Sequence, residues 1–95
     1  MANETHRWLV KHGFKVTGRG YVTDLKTLIP AREYKCGFTR VLFDNKSGKW
    51  ERSEQEQGVL SAIAWRDAGA DYGLEALKDL LYVAGIVGPW QEVGA

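Results

Sequence analysis

Apolar positions along this chain change their spacing near residue 53, from mostly alternating to mostly helical. Trp8, Leu9 and His12 share one helical stripe, predicting a short helix over residues 5–12, with Asn3 or Thr5 as cap and Gly13 just past its end. Phe14-Lys15-Val16-Thr17 alternates as a half-buried strand does, and Gly18-Arg19-Gly20 interrupts it as a tight turn or bulge. Residues 21–29 fit both periods. Alternation and β-branched content favour a strand there, and Pro30 is expected to end it. Tyr34, Cys36, Phe38, Arg40 and Leu42 then fall on one face of a strand. Asp44-Asn45-Lys46-Ser47-Gly48 carries hairpin chemistry, and Lys49-Trp50-Glu51-Arg52 returns as the partner strand, with Trp50 opposite Val41 or Phe43.

From Ser53 the pattern reads as helix. Ser53 and Glu56 have capping-box spacing, Leu60, Ile63, Ala64 and Asp67 line one face, and Gly69 ends the element. Asp71 or Tyr72-Gly73 starts a second helix, in which Leu74, Leu77, Leu81 and Ala84 form an apolar stripe centred on Leu77 and Leu81. Gly85 closes that helix before an extended tail. Strands followed by helices predict one α+β domain over residues 1–95: a short N-terminal helix, an antiparallel sheet of about three strands with a hairpin at 38–52, and two C-terminal helices packed on one face. The length of 95 residues suits one modest core.

Charge changes this picture more than composition does. Residues 1–50 hold ten Lys/Arg against four acids, and residues 51–95 hold three against eight, so the overall +1 combines a +6 half with a −5 half. Such a chain can present a basic face to an anion or an acidic face to a basic groove. The lone Cys36 excludes an internal disulfide and points to a reducing, cytoplasmic setting. No apolar run reaches membrane-spanning length, and the N-terminal residues lack a secretion-signal pattern.

Catalytic and metal-binding patterns fail on inspection. His6 and His12 are six residues apart with no third ligand at a standard spacing. Cys36 sits mid-strand among apolar neighbours. Gly48-Lys49 lacks the earlier glycine of a phosphate loop, with Phe43 in its place, and Trp50 stands where Ser or Thr is required. Neither an enzyme nor a cofactor is expected.

Two binding roles remain. In the first, a non-catalytic module acts as an inhibitor or adaptor on a larger protein, including one that itself binds nucleic acid. Its contacts would be Glu54, Glu56, Asp67, Asp71, Glu75 and Asp79, with Trp65 or Tyr72 as anchor. Small cytosolic chains of this format are common among phage and mobile-element accessory proteins with anti-defence roles, such as anti-CRISPR proteins. A second copy of the chain is another candidate partner. In the alternative, the basic half binds nucleic acid through Lys15, Arg19, Arg32, Lys35, Arg40, Lys46 and Lys49, with Trp50 or a tyrosine stacking on bases.

Overall fold

In the computed structural model, which describes residues 4–56 and 64–86, two helices flank a five-stranded sheet. Helix α1 (Glu4–Lys11) leads into strands β1 (Lys15–Asp24), β2 (Thr27–Cys36), β3 (Thr39–Phe43), β4 (Lys49–Gln55) and β5 (Trp65–Tyr72), and α2 (Leu74–Val83) follows. The strands form an antiparallel meander in sequence order. No helix among the described residues is long and apolar enough to cross a membrane.

Among the described residues five strands and one C-terminal helix overturn the expectation of about three strands and two C-terminal helices. The helix expected from Ser53 is replaced by pairing of β4 with β5, with Ser53 opposite Asp67, Glu54 opposite Arg66 and Gln55 opposite Trp65. The Ser53–Glu56 capping box therefore does not form, and Glu56 N–H donates instead to the Ala64 carbonyl at 2.8 Å. Gly69 lies within β5 rather than at a helix end. Leu60 and Ile63 of the expected stripe lie outside the described residues. The strand continuation is hidden in sequence because charged side chains occupy the helix-side positions of β4. Arg52 is buried there by pairing with Glu54 through Nε at 2.9 Å and Nη2 at 2.5 Å.

Smaller expectations also change: the strand expected over residues 21–29 turns at Leu25-Lys26 between β1 and β2, and Gly18-Arg19-Gly20 lies within β1 just past its bulge. Gly37-Phe38 is a two-residue connection, with Cys36 paired to Thr39. Gly37 has φ +60°, a conformation glycine adopts at little cost. That turn shifts the alternation by one residue, so Val41 and Phe43 join the face of Tyr34, while Arg40 and Leu42 point the other way. Pro30 does not end an element but sits inside β2, opposite Tyr21. β3 pairs with β2 only from Arg32 onward, so the outer edge at Pro30 needs no backbone donor.

The two sheet faces have different cores. On the helix side, Tyr34, Val41, Phe43 and Trp50 pack with Trp8, Leu9 and Phe14, and with Leu77 and Leu81 of α2. On the opposite side Val22, Ala31 and Leu42 form a smaller cluster. The β1–β2 hairpin curls over this second side. A Cβ on Gly20 would lie 2.8 Å from Leu42 Cδ2, so the approach is close enough to favour glycine. The Thr23 N–H donates to Glu51 Oε2 at 2.7 Å, and the Tyr72 hydroxyl donates to Asp24. β1 thus reaches across to β4 and β5, and among the described residues nothing covers its helix-side face at Arg19 and Tyr21.

Candidate functional site: a basic cleft on the helix side

Three cations meet on that open face. Arg19 of β1 and Arg32 of β2 are direct cross-strand partners. The β3–β4 turn brings Lys46 to the same place, and together with His6 of α1 and Tyr34 they border a cleft of about 380 Å³. Pro30 and Phe43 supply apolar wall. Each residue arrives by ordinary local chemistry. A bulge between Val16 and Gly18 resets the register so that Arg19 faces Arg32. Asp44 closes the turn, accepting from Ser47 N–H at 2.9 Å, Ser47 Oγ at 2.7 Å and Lys46 N–H at 3.4 Å.

Electrostatically the cleft has an excess of positive charge, three cations against the one carboxylate of Asp44 among its described lining residues. Among the described residues Arg19, Arg32 and Lys46 make no ion pair within 4 Å, whereas Lys35 and Arg40 pair with Glu33, and Arg52 pairs with Glu54. Asp44 lines the cleft, but its oxygens are engaged by the turn. Burial pushes its carboxyl up, and the hydrogen bonds from Ser47 and Lys46 outweigh this and hold it below the usual aspartate range. Like charges directly opposite on neighbouring strands lower stability. The Arg19–Arg32 pair therefore costs the fold something, and among the described residues no carboxylate lies within ion-pair distance of either guanidinium to offset it.

The floor of the cleft is organised around His6. Its Nδ1 lies 2.7 Å from the Tyr34 hydroxyl and 3.5 Å from Arg32 Nη1. In the tautomer with Nδ1 unprotonated, the tyrosine O–H donates to it, and the Arg32 guanidinium, which can only donate, stands at the outer limit of a second bond. Burial raises the Tyr34 pKa above the ordinary phenol value, with nearby Arg32 offsetting part of the rise, so the hydroxyl keeps its proton at neutral pH. These contacts fix the Arg32 side chain while the rest of its guanidinium faces solvent.

The other basic candidates lie elsewhere. Lys35 and Arg40 are on the opposite face, with their charges 5.3 and 4.5 Å from the Trp65 ring centroid. Lys15 is the cross-strand partner of Lys35, and Lys49 rests 4.8 Å over the Tyr72 ring. Trp50 is only 2% exposed and offers no surface to a base.

The acidic candidates and their aromatic anchors are spread over four places. Trp65, Asp67 and Tyr72 project to the opposite face of β5. Asp71 and Asp79 border a groove of about 440 Å³ between β5 and α2 on the helix side. Glu75 pairs with Lys78 at 3.7 Å, Glu54 is occupied by Arg52 and Thr39, and Glu56 is exposed at the end of β4. His6 carries no sequence signal for a role in the cleft, since its neighbours are 13 or more residues away in the chain. Among the described residues no three His, Cys, Asp or Glu side chains are grouped to hold a metal ion. Comparison with protein-family models, curated proteins and solved structures finds no match.

Proposed function

We propose that the protein is a non-catalytic, cytoplasmic binding module that engages the phosphate groups of a nucleic acid through the cleft of Arg19, Arg32 and Lys46. The observation that carries this reading is the like-charge Arg19–Arg32 pair, which has no acid partner among the described residues. An incoming phosphate turns that repulsion into two charge-assisted contacts, and a guanidinium pair suits the geometry of a phosphate. His6 and Tyr34 position Arg32, and Pro30 and Phe43 limit water at the site.

Fluorescence anisotropy with labelled random DNA and RNA across a salt series tests the reading. Log affinity should fall steeply with log salt, and Arg19→Glu should weaken binding at least tenfold. The same substitution places opposite charges across the strands and should raise stability by roughly 0.5 kcal/mol. Salt-independent binding, or full affinity in the Arg19→Glu protein, would remove the cleft from the function.

One observation favours a second reading, an inhibitor or adaptor that binds a basic protein surface. The groove between β5 and α2 is walled by Trp50, Leu80 and Val83, with Asp71 and Asp79 at its border. Val83 is 88% exposed at the end of α2. An apolar anchor with an acidic rim is the arrangement that steers and then holds a cationic partner. Asp71→Lys/Asp79→Lys should slow association with such a partner, and an unchanged rate would discard this reading.

A further inference from the structure

The cleft does not end at His6. The same imidazole borders a second depression of about 520 Å³ between α1 and α2, with Arg7, Lys11 and Lys78 at its edge and Glu4 as its one carboxylate. Arg7 and Lys11 are four residues apart on α1 and both exposed, so they stand on one side of the helix. Lys78 answers from α2, its ammonium 6.0 Å from the Trp8 ring centroid and 3.7 Å from the exposed Glu75 carboxylate, with which a phosphate would have to compete. Five cations with no ion pair among the described residues, and Lys78 shared with Glu75, therefore border two depressions that meet at one side chain.

At the other end the track acquires an aromatic. Tyr21 lies two residues beyond Arg19 on β1, hence on the same strand face, and it is 59% exposed. It faces Pro30 across the hairpin, with Leu28, 66% exposed, on the same face one step further out. An aromatic ring left in water beside an arginine is of little use to the fold. It is useful to a nucleic acid only if a base face is free, because a duplex keeps its bases stacked on each other.

We infer that the protein binds single-stranded nucleic acid in an extended form. The strand runs from a base stacked on Tyr21, across Arg19, Arg32 and Lys46, past His6, and into the depression bordered by Arg7, Lys11 and Lys78. This rests on the phosphate-binding reading of the cleft and adds to it the strandedness of the ligand and a second segment of the site. Phosphates meet the cations in succession, and the concave path suits a flexible strand better than a rigid duplex. The sugar is not selected by these contacts, since all of them address phosphate or a base face.

The test uses the whole chain and labelled oligonucleotides of about 4 and about 12 nucleotides, as oligo(dT) and oligo(rU), beside a duplex of the longer length. Single strands of the longer length should bind at least tenfold tighter than the duplex. Tyr21→Ala should lose roughly tenfold for single strands and leave duplex binding unchanged. Arg7→Glu/Lys11→Glu should weaken the longer oligonucleotide but not the shorter, and should flatten its salt slope by about 1.4, close to 0.7 for each lost phosphate contact. All three positions are exposed, and circular dichroism checks that each variant is folded. A duplex bound as tightly as a single strand overturns the inference while leaving the cleft as a phosphate site. So does undiminished single-strand affinity in Tyr21→Ala, or in the α1 variant. If no oligonucleotide binds with salt dependence, the reading of the cleft falls as well. Equal affinity for oligo(dT) and oligo(rU) is expected, and a large preference for one would overturn the assignment of this track, whose contacts all address phosphate or a base face.

Discussion

Trp50→Phe tests whether α2 is fastened to the sheet as the structure indicates. The indole is 2% exposed in β4, and its Nε1–H donates to the Gly73 carbonyl at 2.9 Å, at the cap of α2. Gly73 N–H in turn donates to the Gly48 carbonyl at 2.9 Å, so the start of the helix is held by β4 and by the turn before it. Replacing indole by phenyl removes the side-chain bond, with a net loss of about 1 kcal/mol, because the Gly73 carbonyl keeps the weaker 3.4 Å bond from Leu77 N–H. The missing ring atoms withdraw roughly 40 Å² of apolar burial, worth about 1 kcal/mol. They also leave a void under Leu77 and Leu81 that adds up to about 1 kcal/mol. The expected loss is about 2–3 kcal/mol, a large fraction of the stability of a domain this size. Urea melts followed by far-UV circular dichroism measure it, and amide exchange in the first turn of α2 should accelerate more than exchange in β2 or β3. A loss below about 1 kcal/mol, or exchange that rises equally everywhere, would refute the claim that Trp50 clamps the helix.

Other consequences follow from local geometry. Leu25 and Lys26, at the tip of the β1–β2 hairpin, have φ of 50° and 71°, a two-residue turn without the usual Asn-Gly. Leu25→Asn/Lys26→Gly should therefore raise stability by about 1 kcal/mol in urea melts, and a decrease would show that Leu25 itself contributes packing. For Asp44 the sign of the pH effect is fixed by its lowered pKa, which means that its contribution is present above the ordinary aspartate range and is lost as pH falls through the folded-state value. Asp44→Asn should be less stable than the parent by about 1 kcal/mol at neutral pH, with the two converging in strong acid. A gap independent of pH would assign the effect to turn geometry rather than charge.

What the sequence reveals and conceals follows from where the polar groups find partners. α2 is legible because Leu74, Leu77 and Leu81 repeat at helical spacing, and Leu77 and Leu81 end fully buried. The β3–β4 hairpin is legible because Asp44 and Gly48 carry their turn chemistry locally. β5 is not, since Arg66, Asp67, Ala68, Gly69, Ala70 and Asp71 have neither alternation nor strand-forming side chains. Its conformation comes from pairing with β4, a tertiary effect that outweighs propensity. The same holds for the end of β4, where Arg52 and Glu54 satisfy each other and can occupy positions that would otherwise be apolar.

The charge split along the chain likewise does not map onto two faces. Lys35 and Arg40 belong to the basic half, yet Glu33 and the Trp65 ring occupy them. Glu54 belongs to the acidic half, yet Arg52 neutralises it. The charges left without partners decide what the surface can do, and those depend on register. A one-residue change at the Val16–Gly18 bulge would turn Arg19 away from Arg32 and dissolve the cleft without altering composition. A stability-driven fold has reason to place an acid at position 19, where it would pair with Arg32. Retaining arginine there sacrifices that pair, and among the described residues no ion pair to Arg19 offsets the loss. The cost makes sense if an external anion supplies the missing charge.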